Sequence, residues 1–207
     1  YLLVSHNAGG AALLAAWAAH QPAEAQFDCL LSGPAVGIFC QRLAKANLIA
    51  RQAVSLSRYT SIITSTSAAE TGWETYWIKQ ARAEGINTIS LLDHWTNYLS
   101  RFLWQGDYIF PDAIWVCDAY ALKLAQACQQ QMPNYPSAQQ IANFYLVDLV
   151  DYIQARKPKA ALNGDDKNIG NILYVSEPSS NPLYTAQDAL AGYLDYVLTQ
   201  PMAQPRV

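Results

Sequence analysis

Apolar residues come along this chain in short blocks separated by longer stretches with helical spacing. Tyr1–Ser5, Phe27–Ser32, Thr60–Thr64, Thr88–Leu92 and Ala113–Cys117 are apolar or β-branched over most of their length and read as buried strands. Between them, Ala11–His20, Val36–Ala50, Glu74–Glu84 and Ala119–Gln131 read as helices, with Arg42 and Lys45 on the outer face of the second. Local punctuation supports these bounds. Thr71 and Glu74 have capping-box spacing, Gly85 is a C-terminal stop, Pro133 follows the last of these helices, and Asn143 precedes a further apolar helix as its N-cap. Strands alternating with single helices imply right-handed βαβ crossovers. The expected fold class is α/β, a mainly parallel sheet flanked by helices.

The pattern changes at residues 155–168, where Arg156, Lys157, Pro158, Lys159, Gly164, Asp165, Asp166 and Lys167 give a linker composition. Beyond it, Asn171–Val175 reads as a fresh strand and Thr185–Thr199 as a helix. The expected organisation is a domain at 1–154, a linker at 155–168, and the first βα unit of a truncated second domain at 169–207. The chain opens without Met, directly in a strand, and reads as a fragment of a longer protein.

Composition narrows the function classes. The 207 residues are 52% hydrophobic and 14% charged, with a formal charge of −3 and no Lys/Arg cluster. A sizeable core is expected, and a nucleic-acid surface or polybasic membrane patch is not. No apolar run is long enough to span a bilayer. Cys29, Cys40, Cys117 and Cys128 contain no CxxC pair and read as buried, reduced thiols of a cytoplasmic protein, with no metal site expected.

Candidate chemistry gathers where the strands end. Ser5-His6-Asn7-Ala8-Gly9-Gly10 joins a strand to a helix, and its paired glycines allow close approach of a ligand or another backbone. It lacks the GxGxxG spacing of a dinucleotide site. Thr71-Gly72-Trp73-Glu74 and Asp93-His94-Trp95 would emerge at the same sheet edge, where open α/β sheets bind ligands. An acid beside an imidazole suggests general base chemistry. His94 is the candidate base, with Asp93 orienting it or taking its place, and Glu74 either faces the cleft or completes the capping box. Asn7, Gly9, Gly10, Thr71, Gly72, Trp73, Trp95, Asn97, Arg101 and Asp118 are candidate binding residues. Arg101 can clamp an anion or pair with Asp107 or Asp112. Asp112, at the opposite strand end, reads as structural, and Trp17, Trp77, Trp104 and Trp115 as core.

These segments carry a resemblance. Ser32-Gly33-Pro34-Ala35, Thr71-Gly72-Trp73-Glu74, Leu92-Asp93-His94-Trp95-Thr96-Asn97-Tyr98 with Arg101-Phe102, Pro111 to Asp118 with Tyr120-Ala121, and Leu173 to Pro178 are similar to a family of bacterial polysaccharide-biosynthesis proteins with GT-B glycosyltransferase architecture. That family is distantly similar to the UDP-N-acetylglucosamine 2-epimerases. The resemblance spans Tyr1 to about Leu198. It implies two Rossmann-like domains facing across a cleft, the first holding a glycan or lipid-linked glycan acceptor and the second, largely beyond Val207, holding a nucleotide-sugar donor. It implies no bound cofactor and a location in the cytoplasm or at the inner face of the membrane. The Gln- and Pro-rich segment Gln129–Gln140 departs from the family pattern at a place where a strand is expected. Two rival functions follow from the same residues. One is a nucleotide-sugar epimerase or hydrolase using Asp93 and Glu74, and the other a non-catalytic sugar-binding domain.

Overall fold

Seven parallel strands form the central sheet of the computed structural model, which describes residues 1–43, 46–67, 72–155 and 186–199. They are β1 (Leu2–Ser5), β2 (Asp28–Leu31), β3 (Asn47–Leu48), β4 (Ser61–Thr64), β5 (Asn87–Leu91), β8 (Ala113–Val116) and β9 (Ser137–Gln140), in spatial order β3-β2-β1-β4-β5-β8-β9. A separate hairpin pairs β6 (Leu103–Trp104) with β7 (Asp107–Tyr108). The helices are α1 (Ala8–Ala19), α2 (Ala35–Arg42), α3 (Trp73–Ala83), α4 (Ala119–Gln131) and α5 (Phe144–Ala155). The chain divides into two compact units, Tyr1–Arg156 and Lys157–Val207. In the second, the described residues form one helix, α6 (Ala186–Thr199). The expected strand at Asn171–Val175, most of the linker and Lys45 lie outside the described residues.

Strand residues alternate between two cores, as the pleat requires. Leu3, Cys29, Ile63 and Leu91 face α1 and α2, which supply Leu14, Ala15 and Phe39. Leu2, Val4, Leu30 and Ile62 face α3, which supplies Trp77 and Ala81. Ile114 and Val116 pack on the same side with Ile78 of α3 and Ala121 and Ala125 of α4. Burial on both faces explains the unbroken apolar runs. Buried hydroxyls near the strand ends satisfy one another, Ser5 with Ser65 at 2.7 Å and Thr64 with Ser90 at 2.8 Å.

The sheet is therefore an α/β, Rossmann-like one, mostly parallel and flanked by helices. After β1 the chain passes to one face as α1, and after β4 to the other as α3. That reversal makes the carboxyl ends of β1 and β4 the switch point of the sheet, on the edge at which such sheets bind ligands.

The β6–β7 hairpin has no counterpart in the sequence reading, and two further elements differ from it. The helix expected over Val36–Ala50 ends at Arg42, because Leu43 (φ −116°, ψ 86°) leaves helical space. The chain then pairs as β3, with Asn47 opposite Asp28. In Gln129–Gln140, the Gln-rich end is a strand after all, with β9 in register from Ala113↔Ser137 to Val116↔Gln140. This edge strand is held by its backbone ladder and exposes Ser137, Gln139 and Gln140, so it needs no apolar pattern. At two helix ends the local signals coincide with the elements. Asn143 Oδ1 accepts from Leu146 N at 3.0 Å as the N-cap of α5, and Gly85 follows α3 with φ +70°.

Candidate functional site

The turn after β1 is built for close approach. Gly10 is buried against Ser65, where a Cβ would lie 2.6 Å from Ser65 Cβ, and a Cβ on Gly9 would lie 2.5 Å from Asp93 Oδ2. The small residues thus let the first turn of α1 close over the ends of β4 and β5. Asn7 stands at the N-cap position of α1 with extended backbone (φ −77°, ψ 151°) and makes no side-chain cap bond.

Glu74, expected to face the cleft or complete a capping box with Thr71, does not line the cleft, and Thr71 lies outside the described residues. Its carboxylate is buried at 3% exposure, and Oε1 accepts from His6 N at 3.0 Å, Ser65 Oγ at 2.9 Å and Ser67 Oγ at 2.8 Å. It ties α3 to the ends of β1 and β4. The N-cap of α3 is Gly72 (φ +55°), with no side-chain cap; Thr71 lies outside the described residues. Gly72 is buried beneath the Trp104 indole, delivered by the β6–β7 hairpin, which occupies the space a Cβ would need. Trp73, expected at the cleft, packs instead against the Leu2, Val4 and Ile62 core on the α3 side of the sheet. The first helical residue follows its helix, and α3 lies on the face away from α1.

Beyond β5, the chain carries the polar cluster. Asp93 Oδ1 meets Arg101 Nη1 at 2.7 Å, and the same Nη1 donates to Thr66 Oγ1 at 2.6 Å. Arg101 Nε donates to the Thr96 carbonyl at 3.1 Å, so the guanidinium is held on three sides. Neither Asp107 nor Asp112 is its partner. Asp112 accepts from Thr88 N and Oγ1, both at 2.8 Å, and pairs with Arg82, which makes it structural. Among the described residues no donor reaches Asp93 Oδ2, which lies over Gly9. Asn97 (φ 63°) is an exposed turn residue whose carbonyl accepts from Arg101 N at 3.1 Å.

His94 is exposed and not hydrogen-bonded to Asp93. Its Nδ1 accepts from Trp95 N at 3.1 Å, with Thr96 Oγ1 3.2 Å away. With Nδ1 used as an acceptor, the neutral ring carries its proton on Nε2. His94 therefore offers an N–H donor to the cleft, not the lone pair of a base. The Trp95 indole N–H donates to Asp118 Oδ2 at 2.8 Å, while Asp118 Oδ1 caps α4 by accepting from Ala121 N at 2.7 Å. Burial pushes the Asp118 pKa up, but the hydrogen bonds from Ala121, Trp95 and Tyr120 outweigh it and hold the carboxyl below the usual range.

A cavity of about 350 Å³ joins these groups, lined by Gly9, Leu13, Asp93, His94, Trp95, Cys117, Asp118, Asn143 and Tyr145 among others. Burial, then the carboxylates of Asp118 and Asp93, push the Cys117 thiol up to about 11, so it stays protonated and is a poor nucleophile. Contrary to the expectation that all four thiols are buried, Cys29 is buried, Cys117 and Cys128 are half-buried and Cys40 is exposed. A larger hollow of about 790 Å³ lies at the opposite end of the strands, beside Tyr1, Phe27, Asp28 and Tyr59. Its carboxylate, Asp28, is already bonded by Tyr59 Oη at 2.7 Å and Asn47 Nδ2 at 2.5 Å. The hollow lies at the amino ends of the strands, whereas the smaller cavity lies at their carboxyl ends, the edge where open α/β sheets bind ligands, so the smaller cavity is the candidate site.

The structure thus brings together Gly9, Asp93, His94, Trp95 and Asp118, with Arg101 acting through Asp93. It places Gly10, Gly72, Trp73 and Glu74 in supporting positions. The sequence reading missed Thr66, Tyr120 and His6. Thr66 follows the third strand, where the Ser/Thr run was its only signal. His6 follows β1, and its Nδ1 is buried with no hydrogen-bond partner among the described residues. Among the described residues, no group of three or more His, Cys, Asp and Glu is placed to share a metal ion, and no helix is long and apolar enough to cross a membrane. No protein-family model matches the chain, and neither a curated protein nor a solved structure is similar to it at a significant level.

Proposed function

We propose that this chain is the acceptor-side half of a GT-B-like glycosyltransferase, which moves a sugar from a nucleotide-sugar donor onto a glycan in surface polysaccharide assembly. The observation that carries this reading is the placement of Asp93. Arg101 and Thr66 hold one of its oxygens, and the other is turned over the glycine turn at the edge of a cavity walled by an exposed indole. In the transfer, an acceptor hydroxyl gives its proton to Asp93 while its oxygen attacks the anomeric carbon of the donor. The bond from that carbon to the diphosphate breaks, and its electron pair leaves with the nucleotide. Asp93 takes the role of base because Nδ1 of His94 is engaged by the Trp95 N–H. His94 Nε2–H then orients an acceptor oxygen. The epimerase or hydrolase reading loses its second carboxylate, since Glu74 is buried and bonded to three donors.

The test uses the product of the complete reading frame, with nucleotide sugars and glycan acceptors, and follows release of nucleoside diphosphate. Asp93→Asn is expected to lower kcat by about 10²–10⁴-fold, the usual contribution of a general base, and His94→Ala by much less. Wild-type turnover by Asp93→Asn overturns the base assignment. Release that needs no acceptor, or no release at all, overturns the transferase reading.

A further inference from the structure

Trp95 is left 58% exposed at the cavity, yet it is not free to move. Its N–H is bonded to Asp118, whose other oxygen is committed to the start of α4. The Tyr120 ring, 60% exposed, stands against it at 90° with centroids 5.8 Å apart. An indole face held in place and open to solvent is a preorganised stacking surface, and little side-chain freedom remains to be lost on binding.

The charges beside it decide what can stack there. The carboxylates lining the cavity are Asp93 and Asp118, and among the described residues no Lys or Arg lines it. The one guanidinium bonded to this cluster, Arg101, is already neutralised by Asp93. Asp118 has only neutral donors as partners. A phosphate or carboxylate here meets uncompensated negative charge, whereas hydroxyl and ammonium groups find acceptors. The volume of about 350 Å³ lies near the lower bound of small-ligand sites, room for a single ring.

We infer that the Trp95 face, buttressed by Asp118 and Tyr120, is a subsite for one neutral or amino-bearing pyranose ring of the acceptor glycan, and that it excludes anionic sugars and the nucleotide diphosphate. The choice of glycan rests on the proposed transferase activity; the stacking and the charge preference rest on the geometry alone. Apolar C–H groups of the ring lie on the indole, and ring hydroxyls donate to Asp93 and accept from His94 Nε2–H.

Saturation-transfer NMR of the 207-residue chain tests this with the methyl glycosides of glucose, galactose and N-acetylglucosamine, and with glucosamine, glucuronate and uridine diphosphate. At least one neutral or amino sugar is expected to receive saturation, strongest on the C–H protons of one ring face, with contacts to the Trp95 ring seen as intermolecular NOEs. Glucuronate binds more weakly, and uridine diphosphate does not displace the sugar. Trp95→Ala weakens binding about ten-fold and Trp95→Phe less, as expected for loss or reduction of one aromatic stacking face. The NOEs in the unmutated chain decide the case should Trp95→Ala fail to fold. No saturation of any glycoside, contacts to a ring other than Trp95, or preference for glucuronate or uridine diphosphate overturns the inference. Failure of the transferase reading looks different: binding persists here while the complete protein shows no turnover.

Discussion

Asp93 and Arg101, eight positions apart, form an ion pair at 2.7 Å with their side chains only 16% and 12% exposed. The pair closes the segment after β5 on itself and fixes the carboxylate over the glycine turn. Arg101→Met leaves that carboxylate withdrawn from water without its counter-charge. A loss of about 2–3 kcal/mol in urea-unfolding stability is expected, somewhat below the cost for a fully buried pair. Adding Asp93→Asn restores part of it, because the orphaned charge is gone. A double variant as unstable as the sum of the singles would show that the two residues are not coupled.

Glu74 is a structural tie, and its substitution separates stability from binding. Glu74→Ala strands the His6 N–H and the Ser67 hydroxyl at the junction of β1, β4 and α3, and leaves the Ser65 hydroxyl with Ser5 alone. Loss of charge-assisted bonds at a buried site is expected to cost about 2–4 kcal/mol, and Glu74→Gln less, since one amide oxygen still accepts. Chemical denaturation reads the first effect. Sugar binding below the unfolding transition should be retained, which a catalytic or substrate-contacting role for Glu74 would not allow.

Much of the scaffold was legible because its signals are local. The end of α4 follows from the Pro beyond it, and the core strands follow from unbroken apolar runs. The misses are non-local. The edge position of β9 excuses its glutamines, but edge status depends on the order of the whole sheet. The β6–β7 hairpin turns through Gln105 and Gly106, both at positive φ, between strands too short to show alternation. The site residues split the same way. Asp93, Trp95 and Asp118 belong to strand ends, so topology alone carries them to the functional edge. Whether Glu74 and Trp73 turn toward that edge depends on which face α3 covers and on the hydroxyls of a distant strand. Adjacency made Asp93 and His94 look like a pair, but each is engaged elsewhere.

The Asp28–Tyr59 bond at the other end of the sheet gives the fold a two-sided pH dependence. The Tyr59 hydroxyl is the main cause holding Asp28 below the usual carboxylate range, and burial, with that same bond, pushes Tyr59 up to about 12. Asp28 is depressed in the folded state, so its contribution is present above the unfolded carboxylate pKa and is lost as pH falls through the folded value. Tyr59 is raised, so the folded chain keeps a proton that the unfolded chain releases near pH 10, and stability declines between about 10 and 12. Tyr59→Phe should flatten both limbs of a stability–pH curve. An unchanged acid limb in that variant would remove the hydrogen bond from the account.

The protonation site of His94 is directly observable. Nδ1 accepts from the Trp95 backbone N–H, so the neutral ring should populate the Nε2–H tautomer. Long-range ¹H–¹⁵N correlation of the imidazole distinguishes the two forms. Finding the proton on Nδ1 would return His94 Nε2 to contention as the base and displace Asp93 from that role.

Neighbouring glycines in the first turn of α1 should respond to the same substitution in opposite ways. In Gly10→Ala the new methyl meets Ser65 Cβ at 2.6 Å and Thr66 N at 3.4 Å, atoms fixed by the end of β4. Neither can yield, and a loss of about 1–3 kcal/mol is expected, as for other overpacked sites. In Gly9→Ala the methyl meets Asp93 Oδ2 at 2.5 Å, the far end of a side chain that can pivot about its Oδ1 bond to Arg101 without breaking the ion pair. Alanine also favours the helix by up to about 1 kcal/mol, so the unfolding midpoint should hold or rise. The cost falls on function, because the displaced carboxylate no longer faces the cavity. Turnover by the complete protein should drop toward that of Asp93→Asn while the fold is kept. A Gly9→Ala protein of normal stability and normal turnover would show that this carboxylate oxygen has no part in the reaction.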